Sequence, residues 1–163
     1  VGNLWESEQI SVATEHLATS ITESLFPLTY PKIFNVRRVG RTAIVSCCAN
    51  EYHQVGAKIV ADVFELNGWQ SYFLGSNTPP DSLVALVEEK NPHMVALSLS
   101  ISRNIPELEK ILERLCEEFP YTQIVFGGQA FQQRDKPPQF GSPNVTYISS
   151  IQELERLDRK SVV

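Results

Sequence analysis

Between residues 42 and 158 the chain switches repeatedly between two hydrophobic rhythms. Residues 42–49 (TAIVSCCA) form a short β-prone apolar run of the kind expected for a strand covered on both faces. The stretch 53–66 then places Val55, Ile59, Val63 and Leu66 on one face of a helix. Strand-like 70–74 follows, then the loop GSNTPP, after which Asp81 is the expected N-cap of a helix through Glu89, with Leu83, Leu86 and Val87 on its buried stripe. Residues 93–100 (HMVALSLS) read as a second buried strand. Ile105, Leu108, Ile111, Leu112 and Leu115 mark the next helix, and residues 123–126 a strand ending in Gly127-Gly128. A weaker strand at 145–148 and a helix from 150 to about 157 complete five β/α units.

Strands and helices alternating at this spacing call for a parallel sheet with helices on both faces, and for five strands the commoner doubly wound order is 2-1-3-4-5. In such a sheet ligands bind at the carboxyl ends of the strands, at the switch point between the first and third. The loops at 50–53 and 98–104 are therefore the expected site.

The first 35 residues follow another pattern. Ser11 is the expected cap of a helix running to about Leu25, with Ala13, Leu17, Ile21 and Leu25 spaced for one buried stripe, and residues 3–6 read as the end of an earlier helix. A helix and a stub do not make a bundle. Residues 1–35 are accordingly expected either to pack on the α/β domain or to be a partial helical cap, with Pro27, Pro31 and the stretch to Gly40 as linker (its core 36–41) and the α/β domain at 42–163.

Composition narrows the function classes. With 163 residues, 42% hydrophobic and 20% charged, the chain is of ordinary globular type and long enough to bury a core without disulfides or a structural metal. A net charge of -5 argues against phosphate-backbone binding by these residues. The one basic cluster, Arg37, Arg38 and Arg41, is expected to be solvated linker. Three cysteines are too few for a disulfide framework, and no apolar run approaches the roughly 18 residues of a membrane span. A cytoplasmic, reduced chain is the expectation. The single methionine is Met94, so the sequence reads as a fragment whose partner domain lies upstream.

Three sets of residues carry chemistry. In the first loop, His53 can present a ring nitrogen to a metal above the sheet while Glu51, two residues earlier, can accept a proton from the other nitrogen, which would fix the tautomer. Gly56 in the following helix leaves room for something bulky. Ser98, Ser100 and Ser102 end the third strand with hydroxyls able to bond a ligand or the Glu51–His53 pair. Gly127 and Gly128 leave space for a ligand against the backbone, or serve a tight turn. Taken singly, each set also has an ordinary structural explanation.

Taken together, they resemble the cobalamin-binding fold, whose signature is Asp-x-His-x-x-Gly, then Ser-x-Leu some forty residues on, then Gly-Gly. His53, Gly56, Ser98, Gly127 and Gly128 match; Glu51 stands in place of Asp and Ser100 in place of Leu. The resemblance implies a flavodoxin-like five-stranded parallel sheet and cobalamin as cofactor. It also implies that His53 displaces the dimethylbenzimidazole base as lower ligand of cobalt, while the freed nucleotide tail enters a slot bordered by the glycines and the serine loop. Which of Ser98, Ser100 and Ser102 meets the tail stays open. Trp5, nine intervening residues, then Glu15-His16 is similar to the Trp-x9-Glu-His pattern in the cap of adenosylcobalamin-dependent light-sensing regulators. That resemblance implies Trp5 packing against a 5′-deoxyadenosyl group, with Glu15 and His16 bonding its ribose and adenine.

The leading expectation is a non-enzymatic sensor module binding adenosylcobalamin, its output carried by a homo-oligomer or an effector domain or protein. The alternative is a corrinoid methyl carrier or methyltransferase module using methylcobalamin. A mutase fragment and a flavodoxin-like domain with another ligand come after these. No residue set offers a nucleophile–base pair.

Overall fold

The computed structural model describes residues 2–33, 35–132 and 140–160, which fall into two compact units, 1–36 and 37–163. The second unit is built on five parallel strands: β1 (Thr42–Cys47), β2 (Gln70–Phe73), β3 (Met94–Ser98), β4 (Gln123–Gly127) and β5 (Val145–Ile148). Their order across the sheet is β2-β1-β3-β4-β5, the order expected from the sequence. The order in which strands are added across the sheet reverses between β1 and β3, so their carboxyl ends open the crevice where such folds bind ligands.

Numbering helices along the whole chain, α4 (Val55–Leu66), α5 (Pro80–Lys90), α6 (Ile105–Glu118) and α7 (Ile151–Lys160) flank this sheet. Side chains alternate across a strand, and here the alternation sorts by size. Ile44, Val95, Leu97, Ile124 and Phe126 point to one face, where Leu83 and Val87 of α5 and Leu108, Leu112 and Leu115 of α6 close over them. Ala43, Val45, Ala96 and Val125 point to the other face, toward Ala57, Ala61 and Phe64 of α4 and Leu154 of α7. The first face is filled with large aliphatic groups. The second is thinly lined, and this difference positions the site.

Several local expectations are corrected. The N-cap of α5 is Pro79, not Asp81: Pro80 takes the first helical position, where its missing N–H costs nothing, and Asp81 sits in the first turn bonded to Arg114 at 2.6 Å. Helix α4 starts at Val55 rather than His53. Between β4 and β5 the described residues hold a 3-10 turn, Gln129–Phe131. The basic cluster is not simply solvated, because Arg38 bonds the carboxylate of Glu65 and the carbonyl of Trp69, and Arg41 lies over the Trp69 ring at 5.3 Å. The expected domain end at 163 lies outside the described residues.

The first unit contains α1 (Gly2–Glu6), α2 (Val12–Leu25) and α3 (Tyr30–Ile33). Ser11 caps α2 as expected, its hydroxyl accepting from Thr14 N–H at 3.2 Å. Two expectations fail. Pro27 and Pro31 do not begin a linker, since Phe26–Thr29 continues as a 3-10 helix into α3 with Pro27 in its first turn. The stripe Leu17, Ile21 and Leu25 is exposed, as this unit has no further helix among its described residues to cover it. No helix among the described residues is long and apolar enough to cross a membrane.

Leu112 is fully buried at the α6–sheet contact. Leu112→Ala should lower unfolding free energy by about 2–5 kcal/mol through lost burial and the void left behind, measured by urea denaturation; a loss well under 1 kcal/mol would contradict this packing.

Candidate functional site

Beyond Cys47 the chain turns back on itself, with Glu51 N–H donating to Cys48 O at 3.1 Å. Asn50 takes a left-handed conformation there, φ 63°, which asparagine tolerates better than most residues. Two neighbouring loops grip the bend. Asn77, after β2, accepts from Asn50 N–H through Oδ1 at 2.9 Å and donates its own N–H to Glu51 O at 2.8 Å. Asn104, just before α6 and buried, donates its side-chain amide to Asn50 O at 2.9 Å.

The bend delivers Glu51 into the protein with none of its surface exposed. Oε1 accepts from His53 N–H at 2.9 Å and from His53 Nδ1 at 2.6 Å, and Oε2 accepts from Ser100 N–H at 2.8 Å and Ile101 N–H at 2.9 Å. Burial alone would push the carboxyl pKa up. The donated N–H groups of His53, Ile101 and Ser100, with the His53 ring, outweigh it and hold Glu51 below the ordinary carboxylate range. A carboxylate kept ionised is acceptor only, so the neutral His53 ring carries its proton on Nδ1 and a free lone pair on Nε2. The His53 side chain is half-exposed.

The serine hydroxyls were read as able to bond either a ligand or the Glu51–His53 pair; the donors to Glu51 from this loop are the backbone N–H groups of Ser100 and Ile101. The extra methylene of Glu relative to Asp lets one oxygen bond the histidine while the other spans to the next loop.

On the thinly lined face a cavity of about 200 Å³ opens between the sheet, α4 and α7. Of the expected residues, Gly56, Ser98, Gly127 and Gly128 line it. Strand register explains why. Ser98 pairs with Cys47 on one side and with Gly127 on the other, so residues far apart in sequence form one row across the sheet end. Space is kept free by what is absent. A Cβ on Gly56 would reach only Ser98 Oγ, at 3.9 Å, so its omission widens the cavity. The glycine pair answers to backbone crowding as well: a Cβ on Gly127 would lie 2.4 Å from Ile148 O, and one on Gly128, at φ 119°, would lie 2.2 Å from Leu99 O.

Ser100 enters only through its backbone N–H to Glu51, and exposed Ser102 lies in a 3-10 turn where its carbonyl accepts from Ile105 N–H. Neither lines the cavity, whereas Ser149 and Ser150, which sequence reasoning missed, do. Glu153 accepts from Ser149 N–H at 2.7 Å and its own N–H donates to Ser150 Oγ at 3.3 Å, a reciprocal cap on α7. The sequence Ser-Ser-x-x-Glu carried that signal. The other expected residues belong to the first unit. Trp5 lies on α1 and is 37% exposed; Glu15 opens α2 and accepts from Thr19 at 2.7 Å; the adjacent His16 side chain is largely exposed.

Covalent chemistry finds no support here. Burial pushes the Cys47 and Cys48 thiols up to about 12, leaving them protonated and inert. Among the described residues no three His, Cys, Asp or Glu side chains gather around a metal position.

Residues 41–139 match the B12 binding domain family. The chain belongs to the B12-binding domain family. This B12-binding chain is 28% identical over 149 residues to the HTH-type transcriptional repressor CarA of Myxococcus xanthus, covering 90% of this chain and 50% of that protein. It is 30% identical over 131 residues to CarH, an HTH-type transcriptional repressor of the same organism, covering 80% of this chain and 43% of that protein. The chain thus spans about half the length of the curated relatives it matches. In fold it is similar to the Methanosarcina barkeri monomethylamine corrinoid protein, with TM-score 0.81 and 17% identity over 99% of this chain and 77% of that one. The methanol:cobalamin methyltransferase complex MtaBC of the same organism gives TM-score 0.67 and 16% identity over 98% and 60%. The α/β unit is a cobalamin-binding domain.

Because the folded pKa of Glu51 is depressed, its ionised form adds stability that is present above the unfolded carboxylate value and lost as pH falls through the folded one. Glu51→Gln should therefore be less stable at neutral pH by on the order of 2 kcal/mol, and the gap should shrink as pH falls below about 4. Urea unfolding across that range checks this. A gap constant from neutral pH into acid would contradict it.

Proposed function

We propose that this B12-binding chain is an adenosylcobalamin-responsive sensor module in which His53 Nε2 is the lower axial ligand of cobalt. The observation that carries the reading is the Glu51–His53 pair: a half-exposed imidazole whose Nδ1 is held at 2.6 Å by a fully buried, ionised carboxylate. That arrangement raises ligand basicity and fixes ring orientation before any metal arrives. The cavity lined by Gly56, Ser98, Gly127 and Gly128 accepts the nucleotide tail, with the Ser98 hydroxyl as the polar contact in a largely apolar wall. Ser100 supports the ligand through its N–H to Glu51, and Ser102 takes no part in the tail slot.

For the sensor role the support is the cap pattern, Trp5 with Glu15-His16, together with the likeness to two transcriptional repressors. Trp5 supplies an aromatic wall for the adenosyl group, and Glu15 and His16 bond its ribose and adenine. When bound, adenosylcobalamin supplies a cobalt–carbon bond that light cleaves. Loss of an adenosyl group would remove the partners of Trp5, Glu15 and His16 and let the cap helices repack. The change is passed to a second copy of the chain or to an effector domain or protein, in the cytoplasm, without catalysis by this chain.

The fold alone would serve a methyl-carrying corrinoid module equally well, and one experiment separates the two. Purified chain should bind adenosylcobalamin tightly in the dark and change its absorbance spectrum on illumination. Trp5→Ala should weaken the adenosyl form about tenfold, near 1.4 kcal/mol, and leave methylcobalamin affinity unchanged. Equal weakening of both forms, or no response to light, would remove the sensor reading. His53→Ala should abolish the spectral signature of histidine ligation while the cavity still retains the cofactor.

A further inference from the structure

The bend before His53 depends on two asparagines to which the ligand reading assigns no role. Residues 50 and 51 lie between β1 and α4, so no helix or strand pairing satisfies their peptide groups. Asn77 flanks one residue on each side of the shared peptide, accepting from Asn50 N–H at 2.9 Å and donating to Glu51 O at 2.8 Å. Asn104 donates to Asn50 O at 2.9 Å from the start of α6. With these three bonds in place the peptide linking Asn50 and Glu51 cannot rotate without breaking at least one of them.

We infer that Asn77 and Asn104 are positioning residues for His53, acting through the backbone of residues 50 and 51. The inference rests on the reading of His53 as lower axial ligand. The His53 ring is bonded to the Glu51 carboxylate, so a turn of the 50–51 peptide moves Glu51 and swings the imidazole with it. A metal–imidazole bond is directional, and productive sites hold their groups to within about 0.5 Å. The clamp confines the ring to the position from which Nε2 meets cobalt. It also ties that position to the loops after β2 and β3.

The two asparagines use opposite chemistry, which makes the inference testable at the level of single atoms. Asn77 acts on Asn50 through a side-chain acceptor, which aspartate preserves. Asn104 acts through a side-chain donor, which aspartate replaces by an oxygen facing a carbonyl. Asn77 is exposed, so its replacement leaves the core intact.

The test uses the full chain, prepared with isotopically labelled histidine and loaded with cob(II)alamin. Nitrogen superhyperfine splitting in the electron paramagnetic resonance spectrum reports the ratio of histidine-ligated to unligated cobalt. The unsubstituted chain and Asn77→Asp should give the same ratio. Asn77→Ala and Asn104→Asp should lower it by about 10–100-fold while retaining bound cobalamin. Thermal melts without cobalamin accompany each variant, and Asn104→Ala, which removes the donor without adding charge, takes the place of Asn104→Asp if the latter does not fold. Ratios equal to the unsubstituted chain in the donor-less and acceptor-less variants overturn the positioning role. So does loss in Asn77→Asp as complete as in Asn77→Ala. Absence of histidine splitting in the unsubstituted chain would instead overturn the ligand reading, and the inference with it.

Discussion

A carboxylate with no exposed surface is the constraint on which the ligand-binding edge of this domain depends. Stripped of water, the Glu51 charge would be strongly unfavourable if left alone, and four N–H donors from two separate loops offset that cost. Each donor has a second consequence. The two from His53 orient the imidazole, and the two from Ser100 and Ile101 tie the end of β3 to the end of β1. The same interaction therefore closes the topological switch point and fixes the orientation of the His53 ring. An apolar residue at position 51 would leave four donors without their acceptor at once.

The cavity has a different origin, in strand alternation. On the face toward α5 and α6, strand positions carry Ile, Val, Leu and Phe and are filled. On the face toward α4 and α7 the corresponding positions are Ala43 and Val45, Ala96 and Ser98, Val125 and Gly127, and α4 answers with Gly56 and Ala57. A sheet can be fully covered on both faces and still hold a void on one, provided small residues recur at the same register row. The row Cys47, Ser98, Gly127 and Ile148 marks the end of the cavity next to the Glu51 and His53 loop.

Most of the fold was legible because its signals are strong and local. Buried parallel strands appear as apolar runs, α6 carries five large aliphatic residues on one stripe, and the spacing between elements admits few topologies. The chemistry-bearing residues were legible as types: a histidine two residues after a carboxylate, serines at a strand end, paired glycines. What was not legible was which atom does what. Serine hydroxyls were read as partners of either a ligand or the Glu51–His53 pair, yet backbone N–H groups hold Glu51, and backbone donors leave no trace in residue identity. Asn50, Asn77 and Asn104 look like ordinary loop residues until three loops are brought together. Asp81 lost the cap to Pro79 because proline at the next position already suits a helix start. The exposed stripe of α2 shows the reverse case, where periodicity forecasts an apolar face correctly but not what covers it.

The Glu51–His53 pair and the cavity are also mechanically continuous. Gly128, at the cavity wall, approaches so closely that any Cβ would collide with Leu99 O, and Leu99 N–H donates to Gly127 O at 2.9 Å. Leu99 is followed directly by Ser100 and Ile101, whose N–H groups hold Glu51. A displacement of the glycine pair by whatever fills the cavity must therefore be absorbed by a segment whose next two peptides orient the carboxylate behind His53. Close packing makes this path stiff, since there is no void between Gly128 and Leu99 in which movement could be lost. In this chain the order Gly-Gly, serine loop, carboxylate, histidine is one run of packed and hydrogen-bonded groups, so the cavity wall and the imidazole share one framework.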